Sequence, residues 1–178
     1  MGLLQRLFGR ASASSRGSTE TPPASLSVAE AVTSGDIGKV MESIRLNHSV
    51  NARDTGGGTP LIIAASTGNR AIAELLLAHR ADIDARESGT GKTALIYAIE
   101  QGHLETAELL LRCGAGINTV DNQGNTALMF SNSETAPLLI RNGADLNTVN
   151  GFGYTPLKFF RERGWESMIV MLEAAGAR

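Results

Sequence analysis

The stretch that most suggests chemistry is Ala85 to Leu95, "ARESGTGKTAL". It approaches the phosphate-binding pattern G-x-x-x-x-G-K-[ST], in which backbone N–H groups and a lysine cradle phosphates. Lys92 would then serve a nucleotide-dependent enzyme. Arg86 occupies the first Gly position, however, so the pattern is incomplete. A phosphate loop also follows a buried parallel strand, whereas Thr93 stands in phase with Thr59 and Thr126, each at the start of a helical stretch. The segment reads better as a modified hairpin tip. His48, His79 and His103 show no metal-ligand spacing, and Asp54, Glu87 and Asp121 recur one repeat apart, too far to share a substrate. Such carboxylates commonly organise turns through local backbone bonds. No Ser, His and Asp set presents itself, so neither an enzyme nor a cofactor is expected. Cys113, the single cysteine, cannot form an internal disulfide and reads as a small apolar filler in a reducing, cytoplasmic protein.

The elements around these residues are repetitive. "DTGGGTPLIIAASTGNRAIAELLLAHRADIDAR", Asp54 to Arg86, reappears downstream with a period near 33 residues. Thr59 can cap a helix that begins at Pro60, where a missing N–H costs nothing. Gly68 then permits positive φ and reverses the chain into a second helix, with Ile72, Leu75 and Leu76 at helical spacing. Ala64 and Ala65 allow close approach of neighbouring units. At 178 residues the chain suffices for one domain, and 4% aromatics suits a thin helix stack packed with Ala, Leu and Ile. Outside its first 25 residues the chain leans acidic, which gives no argument for nucleic acid.

Residues 1–25 divide into an apolar-basic head and a Ser, Thr, Pro and Gly-rich linker. For the head, a flexible tail is favoured over a weak membrane-surface contact through Leu3, Leu4, Leu7 and Phe8, and over targeting. Residues 26–53 form a more polar first unit, with Ser43 where later units place Leu76. Units 54–86 and 87–120 follow, the second with one extra residue in its tip. Unit 121–149 is four residues short, and Pro137 should fall in the first turn of its second helix. Unit 150–178 places Arg161 and Glu173 on stacking positions and reads as a C-terminal cap.

"GTPLIIAASTGN", "GKTALIYAIEQGHLETAELLLRCGAGIN", "GNTALM" and "GYTPLKFF" together resemble the ankyrin repeat family from Leu26 to Arg178. The resemblance implies an all-α solenoid of about five stacked helix-turn-helix units with short β-hairpin tips, the fourth shortened. The family's His after "TPL" is replaced by Ile62, Ile96, Met129 and Lys158, and the Gly ending the second helix by Arg80 and Asn47. The resemblance further implies a non-catalytic adaptor, scaffold or inhibitor that binds a protein through its concave face and tips. A passive structural subunit or a nucleotide-binding enzyme are the alternatives. Candidate contacts are Thr55, Ser88, Thr90, Lys92, Asn122, Gln123, Asn125, Phe152 and Tyr154 on the tips. Ser66, Thr67, Glu100, Gln101, Glu162 and Arg163 lie near the ends of the first helices. Tyr97, Phe130 and Phe159 align as a stripe expected to be inter-repeat core. A monomer is expected.

Overall fold

The computed structural model describes residues 26–178. The head and linker expected over residues 1–25 lie outside them. Helices α1 (Val28–Thr33) and α2 (Ile37–Arg45) form the first pair, followed by α3 (Pro60–Ser66) with α4 (Arg70–Ala78) and α5 (Ala94–Glu100) with α6 (Leu104–Arg112). The fourth pair joins a 3-10 turn, Ala127–Phe130, to α7 (Ala136–Arg141), and α8 (Pro156–Arg163) with α9 (Glu166–Ala174) completes the stack. First helices pack in one row, α1 on α3, α3 on α5, then α5 and α8 on the 3-10 turn; α2, α4 and α6 form a second row. Leu61, Leu76, Leu95, Ile99, Leu110, Leu128 and Leu139 fill the seams, and Ala64, Ala65, Ala73, Ala98 and Ala107 let the backbones approach.

The starts of the first helices follow local chemistry. Thr59, Thr93 and Thr155 each accept a hydrogen bond from the backbone N–H three residues on, at 3.4, 3.4 and 3.3 Å. Arg80 and Asn47 hold the left-handed region, with φ of 63° and 65°. A Cβ in that region costs roughly 1 kcal/mol, which glycine avoids. Arg80→Gly is therefore expected to raise stability by about 1 kcal/mol, read as a higher urea midpoint at unchanged m.

Two ladders stitch neighbouring units. Asn51, Asp84, Asn118 and Asn147 accept side-chain bonds from the backbone N–H of Asp82, Gly116, Asp145 and Arg178, at 2.9, 2.8, 2.8 and 2.8 Å. At the tips, Arg53 donates to the carbonyls of Gly57 and Arg86, both at 2.7 Å, and Gly151 N–H donates to Gln123 O at 2.7 Å. Each tip is clasped by its own acid or amide. Asp54 accepts from Gly58 N–H, Asp121 from Gln123 and Asn125 N–H, and Asn150 from Phe152 and Tyr154 N–H. In the enlarged third tip Glu87 replaces Asp, and its longer arm reaches Gly89 and Thr90 N–H at 2.7 and 2.6 Å. These bonds, led by that from the Thr90 hydroxyl, hold the Glu87 carboxyl below its usual pKa. Among the described residues the one isolated backbone bridge, Val120 with Thr126, is in the fourth tip.

The shortened unit shows what one missing turn does. Asn132 Oδ1 accepts from Thr135 N–H and Thr135 Oγ1 from Asn132 N–H, at 3.0 and 3.1 Å. This reciprocal cap ends the 3-10 turn and launches α7, with Pro137 in its first turn as expected. Thr126 departs from the capping expectation: its hydroxyl is buried and, among the described residues, unpartnered. A 3-10 turn does not bring a backbone N–H to it. Thr126→Val is therefore expected to be neutral or to stabilise by up to about 1 kcal/mol, against a loss of about 1 for Thr93→Val, both by urea titration.

Two further expectations are corrected. Ser43 is buried rather than part of a polar outer face; its hydroxyl donates to Leu26 O at 2.7 Å and lies 3.0 Å from His48 Nδ1. A hydroxyl is accommodated there because it meets a carbonyl of the entering chain. Cys113 is exposed, not a core filler. Standing just beyond α6, it borders a groove of ≈ 470 Å³ with Leu77, Ala78, Ile83 and Leu109. In the last unit Arg161 and Glu173 form an exposed ion pair.

Candidate partner-binding face

The tips and first helices share one face, and a repeated position runs along it. Ile63, Tyr97, Phe130 and Phe159 occupy equivalent places four residues after the unit's Thr. The rings were expected to be inter-repeat core; each is instead half-buried, packed against the core and open on its outer edge. Phe160 behind Phe159 takes the fully buried place.

Lys92 does not project from its tip. Its ammonium lies 2.7 Å from both Glu100 oxygens and 4.3 Å from the Phe130 ring centroid, and its side chain is only 15% exposed. The insertion that imitates a phosphate loop thus delivers a brace across units three and four. Removing the cation leaves Glu100 half-buried and unpaired. Lys92→Met is expected to cost about 1–2 kcal/mol, with part recovered by adding Glu100→Gln, measured as a double-mutant cycle.

The last unit repeats the brace with different groups. Tyr154 and Glu162 stand where Lys92 and Glu100 do, and the Glu162 carboxylate facing the Tyr154 hydroxyl raises the phenol above its ordinary pKa. Lys158 lies 4.6 Å over the Tyr154 ring, and the Arg163 guanidinium 3.5 Å over Phe159.

Among the other expected contact residues, Asn122 ties tip to tip, donating to Gly89 O at 3.0 Å and accepting from Arg86 at 3.0 Å. Ser88 N–H donates to Gly57 O, and the Thr90 hydroxyl to Glu87. Ser66 and Thr67 donate to helix carbonyls, leaving less for a partner. Thr55 and Gln101 are exposed. Asn125, expected to vary freely, is buried: it donates to Asp121 at 3.1 Å and accepts from Asn150 at 2.7 Å, holding two tips together. The structure gathers Gln123, Asn125, Phe152, Tyr154, Glu162 and Arg163 around one hollow of ≈ 310 Å³, completed by Asn150 and Phe159. Sequence reasoning did not select Asn150, although its alignment with Asp54 and Asp121 marks it as a tip clasp. Among the described residues no cluster of His, Cys, Asp and Glu could hold a metal ion.

The mouse ankyrin repeat and SAM domain-containing protein 6 is 40% identical over 81 residues, 46% of this chain and 9% of that protein. Rat diacylglycerol kinase iota is 35% identical over 101 residues, 56% of this chain and 10% of the kinase. Human ankyrin repeat domain-containing protein 13C is 37% identical over 90 residues, 51% of this chain and 16% of that protein. The chain thus spans a small part of the length of these curated relatives. A family model described as ankyrin repeats in three copies matches residues 28–121 and 85–150. With its stacked helix pairs and clasped tips, the chain belongs to the ankyrin repeat family.

Proposed function

We propose that this chain is a non-catalytic adaptor, scaffold or inhibitor that holds one protein partner on the face shared by its tips and first helices. Ankyrin repeats mediate protein–protein interaction, and the fold alone does not select the partner. The observation that carries the reading is the hollow at the fourth and fifth tips. There Phe152 is 64% exposed beside the half-buried rings of Tyr154 and Phe159. A large ring at the edge of a concavity is the kind of group that anchors interfaces. Under this proposal the protein acts as a cytoplasmic monomer, and its free thiol suits a reducing compartment.

A photo-crosslinking amino acid placed at Phe152 or Thr55, and separately at Val170 on the last helix, tests the reading in cell extract. Capture of a discrete partner from the first two positions and not the third is expected. Equal capture from all three, or from Val170 alone, removes the proposal.

A further inference from the structure

We infer that the hollow bounded by Phe152, Tyr154, Phe159 and Arg163 takes a peptide segment in which a carboxylate lies next to a large apolar side chain. This rests on the partner-binding reading of the same face and names the chemistry of the occupant. The cations along the first helices differ in how they are used. Lys92 is matched by Glu100, and Arg161, on the opposite side of α8, by Glu173. Arg163 and Lys158 have no carboxylate within ion-pair distance among the described residues. Glu162, which lines the same hollow, faces the Tyr154 hydroxyl and lies beyond ion-pair distance of both cations.

Arg163 is also pre-positioned. Its guanidinium lies 3.5 Å from the Phe159 ring centroid, with one long bond of 3.4 Å to the Phe159 carbonyl. A guanidinium stacked on a ring keeps its remaining N–H groups in a fixed plane, the geometry that a carboxylate meets with two parallel bonds. Beside it, Phe152 and Tyr154 supply the apolar wall. Lys158 and Arg163 against Glu162 leave a net positive charge at this end of the face, whereas the chain as a whole carries a formal charge of −2. An acidic partner is therefore drawn to this end of the face and disfavoured elsewhere.

The test is fluorescence anisotropy of the full chain with three labelled peptides. They share the same Phe and Leu positions and carry flanking Glu and Asp, Gln and Asn, or Lys. The acidic peptide is expected to bind about tenfold tighter than the neutral one, the worth of one good Arg–carboxylate pair. Arg163→Gln should bring the acidic peptide down to the level of the neutral one, so that the preference between the two peptides is lost. Phe152→Ala should weaken both. Binding of the Lys peptide as tight as the acidic one, no binding of the acidic peptide, or acidic binding indifferent to Arg163→Gln overturns the inference. A Lys-peptide preference that still depends on Phe152 would leave the face as a binding surface and remove only its acidic specificity. Peptide binding of any kind that is unchanged by Phe152→Ala would count against the face itself.

Discussion

Gly68→Ala is expected to destabilise the fold by about 2–4 kcal/mol, and Gly164→Ala by about 1–2, although both glycines end a first helix in the same conformation. Their φ angles are 68° and 66°, so the strain of placing a Cβ in the left-handed region is common to both. The difference lies in what the Cβ meets. At Gly164 nothing is within 4 Å, whereas at Gly68 it would sit 2.5, 2.7 and 2.9 Å from three atoms of the His103 ring. That ring is not free to swing away. His103 stands at the head of α6, and its Nε2 is 3.1 Å from the carbonyl of Ser66 at the end of α3. One contact thus clamps the second unit to the third. Urea titration of both variants checks the ordering. The double variant Gly68→Ala, His103→Ala should lose the steric part and show a coupling energy of opposite sign to the single costs. Equal losses for the two glycine variants would mean that the ring yields and the clamp does not hold.

The helix starts, the reversals and the shortened fourth unit were legible because each depends on a residue with one dominant local use: Thr before Pro or Ala, Gly after the first helix, and Pro137 inside a helical pattern. What escaped depends on side chains meeting across units. Thr126 looks like Thr59 and Thr93, yet it opens a 3-10 turn from which no backbone N–H reaches its hydroxyl. Asn125 looks like any tip amide until Asn150 of the next unit closes on it. Lys92 and Tyr154 precede Thr in their units and reach carboxylates at equivalent positions. That parallel is present in the alignment of units, but a lysine in a tip reads as a residue open to a partner rather than as the counterion of Glu100. The tips and first helices share one side of the stack, and the division of that side into braced and open stretches required the structure.

Phe160→Ala is expected to cost about 3–5 kcal/mol and to act on one end of the molecule rather than on all of it. Phe160 is fully buried, stacked on Trp165 at 5.5 Å and edge-on to Phe159 at 5.4 Å. In units two and three the same position is Ala64 and Ala98, where backbones must approach closely. In the fourth unit it falls on Ser131, where the chain has already left its 3-10 turn. The fifth unit thus carries a phenyl ring at the place where its neighbour has left the 3-10 turn, and packs it on Phe159 and Trp165. Stability in a stacked array is close to a sum of units and nearest-neighbour seams, so a void at one seam loosens the unit beyond it. Hydrogen exchange should lose protection across residues 156–174 while the amides of α3 to α6 keep theirs, and Phe160→Leu should retain most of it. The same change should abolish acidic-peptide binding well below the midpoint of global unfolding, because Phe152, Tyr154 and Arg163 belong to the loosened unit. A uniform loss of protection along the chain would show that the fifth unit does not loosen independently of its neighbours.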